Sequence, residues 1–183
     1  MKKPAVFLDR DGTMNVEKEY LHKISDFEFI PSADKAIKKL NDNGYLVIVV
    51  TNQSGVARGY YVEEDVRKLH DHMMEELRKI GAHIDADYYC PHHPEKGIGK
   101  YKKDCDCRKP DIGMFNKAME RFDIDVSNSW MIGDKEDDMR FAKNCGIKGI
   151  LVKTGYGKNV DGKYLRRRDL MKAVEYIIKT GLS

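Results

Sequence analysis

The sequence has no long hydrophobic run, and this absence excludes a membrane-spanning protein. Its longest apolar stretches, such as residues 45–50 and 150–152, fall far short of the roughly 20 residues that a membrane-spanning helix needs. The first residues include two lysines, but they lack an extended apolar segment and a small-residue cleavage site, so they do not resemble a signal peptide. We therefore expect a cytoplasmic protein that does not bind membranes.

Proline is also scarce, glycine is not in excess, and neither sign of charge dominates. The chain has 5 Pro and 15 Gly in 183 residues and is 41% hydrophobic, which excludes disordered and collagen-like proteins. Its 33 basic and 30 acidic residues give a net charge of +3, too nearly balanced for a dedicated nucleic-acid-binding protein. The length predicts a single domain over residues 1–183. Because no heptad pattern is present, we expect a monomer.

Cysteine is rare, yet three of the four cysteines lie within eighteen positions of one another. Together with a histidine they form two close pairs, separated by a loop rich in Lys, Pro and Gly. Soft ligands in this arrangement are typical of a closed, tetrahedral zinc site, and in a chain that is not secreted they favour a metal over a disulfide. The alternative is a core cysteine with chance spacing of the others, and Cys145 is expected to be such a core residue. The predicted zinc loop spans residues 90–107, with the structural Zn²⁺ bound by Cys90, His92, Cys105 and Cys107.

Short apolar runs alternate with amphipathic segments along the chain. This alternation predicts an α/β fold: a Rossmann-like, doubly wound parallel sheet covered by helices on both faces. Ser32 and Asp111 are expected to cap helices, whereas the lysine-rich segment 96–103 and the arginine run 166–168 are expected to be solvated. Predicted strands cover residues 5–8, 45–50, 84–90, 130–132 and 149–152, and helices lie near 32–43, 62–80, 111–122, 136–144 and 170–178.

Polar residues follow three of the predicted strands. Asp9 and Asp11 come after the first, Thr51 after the second and Asp134 after the fourth, while Lys109 lies just before a helix. Parallel sheets bind ligands beyond the carboxyl ends of their strands, so we expect these side chains to converge. Closely spaced carboxylates suit Mg²⁺, and a hydroxyl and an ammonium suit a phosphoryl group. An Asp-x-Asp pair alone would more often be a turn or a helix cap.

The segment from Phe7 to Thr13, Phe-Leu-Asp-Arg-Asp-Gly-Thr, resembles the first motif of the haloacid dehalogenase-like (HAD-like) phosphohydrolases. Thr51, Lys109 and the pair Gly133-Asp134 are similar to the three other motifs of that family. The resemblance implies that Asp9 attacks phosphorus to form an aspartyl phosphate and that Asp11 serves as general acid and base. It also implies that Mg²⁺ is held by the side chain of Asp9, the carbonyl of Asp11 and Asp134.

The resemblance further implies that Thr51 and Lys109 bind the phosphoryl oxygens. Asp138 would position Lys109 or a metal-bound water; the alternative is that it is only an exposed acid on a helix.

Within that superfamily, the loop motifs Cys-Pro-His-His-Pro and Cys-Asp-Cys-Arg-Lys-Pro resemble the heptose bisphosphate phosphatases, with the histidinol-phosphate phosphatases as close relatives. The resemblance implies removal of the C7 phosphate from a small phosphorylated sugar. No inserted block large enough to form a cap domain interrupts the chain, so we expect a core without one. The basic pair directly follows the last zinc ligand, so the zinc loop would position it. Arg108 would bind the second phosphate in a bidentate fork. The implied substrate-binding residues are Glu17, Lys18, Glu19, Tyr20, Thr51, Asn52, Gln53, Ser54, Arg108, Lys109 and Lys135.

Two other classes share part of this pattern. A phospho-receiver signalling domain also groups Asp, Thr and Lys at the edge of a parallel sheet, but its phosphoacceptor comes later in the chain than Asp9 does here. A zinc module for nucleic acid would account only for the cysteines, the histidine and the neighbouring lysines.

Overall fold

Short strands of apolar residues form one parallel sheet at the centre of the protein. The computed structural model describes residues 2–181, so residue 1 and residues 182–183 of the predicted domain lie outside the described residues. Neighbouring strands are parallel and follow the order β3-β2-β1-β4-β5-β6. The strands are β1 (Ala5–Leu8), β2 (Leu46–Asn52), β3 (Ala86–Cys90), β4 (Trp130–Gly133), β5 (Lys148–Val152) and β6 (Arg166–Arg167).

Helices cover both faces of this sheet. Val6 and Leu8 of β1 belong to one apolar cluster, and Ala5 and Phe7 belong to the other, because successive side chains of a strand point to opposite faces. The helices are α1 (Ala33–Asp42), α2 (Ser54–Ala57), α3 (Glu63–Lys79), α4 (Gly113–Arg121), α5 (Glu136–Cys145) and α6 (Leu170–Gly181). Buried residues of α1, α3 and α6 join the first cluster, and those of α4 and α5 join the second. The predicted fold class is confirmed.

The arginine run is not the solvated segment that the sequence suggested. Arg166 and Arg167 form β6 and are half-buried, whereas Arg168 is exposed. The guanidinium of Arg166 donates to the carbonyls of three loop residues, and that of Arg167 stacks 3.9 Å from the ring centroid of Tyr176. The prediction failed for these two arginines because the preceding loop and Tyr176 of α6 contact their long side chains.

Neither predicted helix cap uses its side chain. Ser32 precedes α1 in a left-handed conformation (φ +69°), and its side chain makes no capping hydrogen bond. The fourth helix begins at Gly113 rather than at Asp111, with Ile112 in the capping position. Helix positions were therefore predicted well, but their first turns are fixed by backbone contacts that the residue types did not indicate.

Two long connections frame the carboxyl end of the sheet. The connection after β1 contains a single-turn 3-10 helix (Ile24–Asp26) before α1, and the connection after β3 contains another (Gly99–Tyr101) before α4. Within residues 2–181 neither connection carries an inserted domain. Among the helices of these residues, none combines the length and the apolar character needed to cross a bilayer.

Candidate active site

Lys109 joins two carboxylates beyond the carboxyl ends of β1 and β4. Its Nζ donates to Asp9 Oδ1 at 2.8 Å and to Asp138 Oδ1 at 2.6 Å, and the side chain is only 3% exposed. Burial alone would lower the pKa of Lys109, but the negative charges of Asp138 and Asp9 outweigh it and raise the pKa. The lysine is therefore a fixed cation beside the predicted nucleophile.

Asp138 is a buried part of this arrangement, so its interpretation as an exposed helix acid is wrong. It lies in the first turn of α5, is 1% exposed and accepts a 3.0 Å hydrogen bond from the backbone N–H of Lys135 at Oδ2. Burial raises the pKa of Asp138 to about 6, although Lys109 acts in the opposite direction. Asp138 and Asp9 thus both accept hydrogen bonds from the ammonium of Lys109.

Asn52 fixes the backbone of Lys109. Its Oδ1 accepts from the N–H of Lys109 at 3.0 Å, and its Nδ2 donates to the carbonyl of Lys109 at 3.1 Å. Thr51, next to it at the end of β2, is 1% exposed and accepts a 2.9 Å hydrogen bond from Gln53 Nε2 at its hydroxyl. The last two residues of β2 thus place a hydroxyl and the lysine at the same edge of the sheet.

Asp134 has the features of a cation ligand. Its Oδ2 accepts from the backbone N–H of Tyr156 at 2.8 Å, whereas its buried Oδ1 has no hydrogen-bond partner. Carboxylate oxygens of Asp9, Asp134 and Asp138 all lie within 4.8 Å of one another. A hard divalent cation with oxygen ligands fits this donor set, because it would satisfy Asp134 Oδ1 and offset the mutual repulsion of the acids.

The backbone around Asp134 leaves no room for side chains. A Cβ at Gly12 (φ +81°) or at Gly155 (φ +52°) would collide with the Asp134 carboxylate. Only glycine allows this close approach in a left-handed conformation. The carboxylate therefore sits in a cradle formed by two loops, one after β1 and one after β5.

The stabilisation of this protein by Mg²⁺ is expected to grow as pH rises. Burial and the charge of Asp9 raise the pKa of Asp134 to about 8, against roughly 3.9 for an unfolded Asp. Without metal the folded state binds the extra proton, so its stability should fall between about pH 4 and pH 8. Mg²⁺ should raise the melting temperature by about 5–10 °C at pH 8.5 and far less at pH 5.5, as differential scanning calorimetry would measure. An equal shift at both pH values, or an undiminished shift in Asp134→Asn, would contradict this site.

Asp11 is held as a carboxylate by its neighbours. It accepts hydrogen bonds from both Nε and Nη2 of Arg10, from Asn15 Nδ2 at 3.0 Å and from Gln53 Nε2 at 3.0 Å. Burial would raise the pKa of Asp11, but Arg10 and the two amides lower it overall. This clamp fixes the orientation of the predicted general acid and base.

Most of the predicted substrate-binding residues surround one cavity of ≈ 300 Å³. The cavity opens beside Asp11 and is lined by polar groups of both signs. Its lining residues are Asp11, Glu17, Glu19, Tyr20, Asn52, Gln53, Ser54, Tyr61, Lys135 and Tyr156. A smaller space of ≈ 120 Å³ adjoins it and is lined in part by Asp9, Thr51, Arg108 and Lys109. The two spaces share Asp11, Asn52, Ser54 and Lys135.

Lys18 does not join this cavity. Its Nζ donates to the carbonyl of Asp26 at 2.7 Å and lies 3.4 Å from Glu28 Oε2. The lysine therefore closes the loop after β1 instead of facing the site. Of the predicted substrate-binding residues in this loop, Glu17, Glu19 and Tyr20 line the cavity, but the loop turns Lys18 away from it.

Two tyrosines of the cavity were missed in the sequence. Tyr61 donates to Gln53 Oε1 at 2.6 Å, and the ring of Tyr156 lies 5.1 Å from Lys135 Nζ. Tyr156 follows the end of β5, so the rule that located the other residues would have found it. Tyr61 follows a short helix, α2, that the sequence pattern did not predict.

The predicted zinc ligands come together beside this site. Cys107 Sγ lies 3.1 Å from Cys90 Sγ, 3.4 Å from Cys105 Sγ and 3.4 Å from His92 Nδ1. Ligand atoms of a tetrahedral zinc site are separated by about 3.3–3.8 Å, given bond lengths of about 2.0–2.3 Å. The sulfur atoms are too far apart for a disulfide, and all four cysteines are free. The donor set therefore fits a closed metal site.

The Cys₃His cluster is in direct contact with the basic pair Arg108-Lys109. Arg108 Nη1 donates to the carbonyl of His92 at 3.3 Å, and Lys109 follows only two positions after Cys107. The hydrogen bond between Cys107 and Cys90, together with the nearby His92, lowers the pKa of Cys107 to about 5, so this thiol is poised to ligate as a thiolate.

Comparison with known proteins places this geometry in a family. A family model described as HAD-hydrolase-like matches residues 106–174. The chain is 47% identical over 173 residues to a D-glycero-beta-D-manno-heptose-1,7-bisphosphate 7-phosphatase of Haemophilus ducreyi, covering 93% of each chain. It is 50% identical over 156 residues to the enzyme of that name from Vibrio cholerae, covering 85% of this chain and 84% of the relative.

Solved structures lead to the same family. D,D-heptose 1,7-bisphosphate phosphatase from B. bronchiseptica, complexed with magnesium and phosphate, superposes with a TM-score of 0.85 at 29% identity, covering 97% of this chain and 99% of that one. A HAD-like phosphatase from Mesorhizobium loti gives a TM-score of 0.86 at 34% identity, covering 98% and 87%. The protein belongs to the HAD-like phosphatases, in the group of the D-glycero-D-manno-heptose 1,7-bisphosphate 7-phosphatases.

Proposed function

We propose that this enzyme removes the C7 phosphate of D-glycero-D-manno-heptose 1,7-bisphosphate and releases heptose 1-phosphate, a precursor of nucleotide-activated heptose. The observation that carries the proposal is the Asp9–Lys109–Asp138 ion cluster, with the unpartnered Oδ1 of Asp134 beside it. It supplies a nucleophile, a cation for the phosphoryl oxygens and a metal ligand within one buried space. The names of the relatives favour the β anomer of the substrate.

In the proposed first step, Asp9 attacks the phosphorus, and the bond between the phosphorus and the oxygen on C7 breaks. The sugar oxygen leaves with the electron pair of that bond and takes a proton from Asp11, and an aspartyl phosphate remains on Asp9. In the second step Asp11 takes a proton from water, which attacks phosphorus and releases Asp9 and inorganic phosphate. Thr51 and Lys109 hold the phosphoryl oxygens in both steps.

A bound Mg²⁺ would be held by Asp9, the carbonyl of Asp11 and Asp134, and it would neutralise charge on the phosphoryl group. Because its lowered pKa keeps Asp11 ionised in the free enzyme, it must first take up a proton from solvent to act as the acid. It must also exchange one of its hydrogen bonds to Arg10, Asn15 or Gln53 for the leaving oxygen. Apart from the proton, only this exchange of hydrogen bonds is needed, because the carboxylate of Asp11 already lines the same space as Asp9.

The shape of the site suits a sugar with two phosphates. The smaller space, above Asp9, would receive the reacting phosphate, and the larger one would receive the heptose between Glu17, Glu19 and Ser54. Arg108, held against the zinc loop, would bind the second phosphate. We further propose that the enzyme is a monomer, because its sequence has no heptad pattern. The free cysteines of the cluster suit the reducing cytoplasm.

The test is a comparison of kcat/KM for the α and β anomers of heptose 1,7-bisphosphate and for histidinol phosphate. We expect the β anomer to be preferred over histidinol phosphate by at least about 10²-fold, because Arg108 gains a partner only with the bisphosphate. Arg108→Ala should lower the ratio of kcat/KM for the β anomer to kcat/KM for histidinol phosphate, mainly by raising KM for the bisphosphate. A preference for histidinol phosphate would refute the proposed substrate.

A further inference from the structure

A buried histidine, His70, pairs with a half-buried aspartate, Asp87, and neither is among the predicted site residues. His70 of α3 is 1% exposed, and its Nδ1 lies 2.7 Å from Asp87 Oδ2 on β3. Its other ring nitrogen, Nε2, is buried and has no hydrogen-bond partner. A buried polar atom without a partner is costly, so this nitrogen calls for an explanation.

The surroundings fix the protonation of His70. Burial and the charge of Arg10 lower its pKa, although Asp87 acts in the opposite direction. The hydrogen bond from His70 lowers the pKa of Asp87, which keeps that acid ionised. A neutral imidazole beside an ionised carboxylate places its proton on Nδ1, and Nε2 then offers a lone pair.

Arg10 has the complementary deficiency. Its side chain is fully buried, and its Nε and Nη2 donate to Asp11, the carbonyl of Leu21 and Gln53 Oε1. Its Nη1 is buried and has no hydrogen-bond partner. One buried donor, on Arg10, and one buried acceptor, on His70, are therefore each left without a partner.

The packing of α3 brings its buried face to the neighbourhood of Arg10. Val66, one turn before His70, packs in a cluster with Tyr61. Tyr61 donates to Gln53 Oε1, the same atom that accepts from Arg10 Nη2. Helix α3 is thus linked to the guanidinium through three consecutive contacts, Val66–Tyr61, Tyr61–Gln53 and Gln53–Arg10.

We propose that His70 is a positioning residue for the catalytic acid: Asp87 fixes its tautomer, and its Nε2 accepts from Arg10 Nη1 through one buried water. The Asp87–His70–Arg10 series would hold the guanidinium that clamps Asp11. It acts on the reaction through the orientation of Asp11 and touches neither substrate nor metal. The kinetic part of this inference rests on the proposed phosphatase activity, whereas its structural part does not.

The first test compares His70→Phe with His70→Gln. Phenylalanine keeps a ring but has no acceptor, so we expect kcat to fall about 10- to 30-fold with KM changed less than about twofold. Glutamine keeps an acceptor, so the decrease in log kcat for His70→Gln should be at most about half of the decrease for His70→Phe. Met73→Leu, on the same buried face of α3, is the control and should retain the kcat of the wild type. Equal kcat in all four proteins, or equal losses in Phe and Gln variants, would overturn the proposal.

The second test needs no turnover and stands if His70→Phe fails to fold. Nitrogen-15 NMR of histidine-labelled wild-type protein should show neutral His70 with its proton on Nδ1. Arg10→Lys should shift the Nε2 resonance of His70, whereas Tyr89→Phe, whose ring packs edge-on against His70, should leave the tautomer unchanged. A proton on Nε2, or a resonance unaffected by Arg10→Lys, would refute the series even in a fully active enzyme. Inactivity of the wild type on heptose bisphosphate, together with the expected resonances, would refute the proposed substrate alone.

Discussion

Asp9→Asn is expected to abolish turnover, with a loss of at least about 10⁴-fold in kcat/KM. The amide cannot form an acyl phosphate, and the change also removes the charge that pairs with Lys109 at 2.8 Å. Steady-state phosphate release measures the loss, and acid-quenched wild-type enzyme should carry one labile phosphate on Asp9. Because the variant keeps the shape of the side chain, we expect the fold to survive.

The matched control for this change is Asp42→Asn. Asp42 is an exposed acid that forms an ion pair with Lys38 within α1, far from the carboxyl end of the sheet. It should retain wild-type kcat/KM, since a surface pair of this kind contributes about 0.3–0.5 kcal/mol to stability. Robust turnover by Asp9→Asn, above the level of contaminating phosphatases, would show that another residue is the nucleophile.

Cys107→Ser is expected to have the second-largest effect, on stability and activity together. Cys107 Sγ lies within 3.4 Å of the ligand atoms of Cys90, Cys105 and His92, so its loss opens the whole cluster. Bound zinc should fall from about one per chain to near zero, and the melting temperature should fall by more than about 10 °C. We also expect kcat to fall, because Arg108 and Lys109 follow the lost ligand directly.

Cys145→Ser is the control for that experiment. Cys145 is also a buried, free cysteine, but it packs in the apolar cluster with Phe7 and Phe141 and ligates nothing. It should keep its zinc and its kcat and lose only about 1–3 kcal/mol of stability, the usual cost of burying an unpaired hydroxyl. Metal analysis that finds equal zinc in both variants would rule out the Cys₃His site.

The sequence predicted the site residues that follow parallel strands, because the direction of those strands decides where such residues lie. Asp9, Thr51 and Asp134 each follow an apolar run, and parallel strands bring such positions to one edge whatever the loops do. The cluster of Cys90, His92, Cys105 and Cys107 was predicted from a different signal, because soft side chains in two close pairs have few uses other than metal binding. The family motif then assigned chemistry to positions that the pattern had already brought together.

What the sequence did not predict depends on contacts between distant segments. The burial of Asp138 follows from its meeting with Lys109, 29 positions away, and a helix pattern alone cannot distinguish that from exposure. Lys18 turns to Asp26 because of the path of one loop. Strand β6 is only two residues long, and both are arginines, so neither its length nor its composition resembles a strand.

The central place of β1 in the sheet has a consequence for synthesis of the protein on the ribosome. This strand, which directly precedes Asp9, pairs on one side with β2 and on the other with β4, which begins only at Trp130. Until that segment emerges, the nascent chain has one unpaired edge of a nearly apolar strand, the kind of edge that recruits other chains. The first strand to be synthesised therefore gains its second neighbouring strand late. Until then its unpaired edge exposes the nascent chain to aggregation during translation.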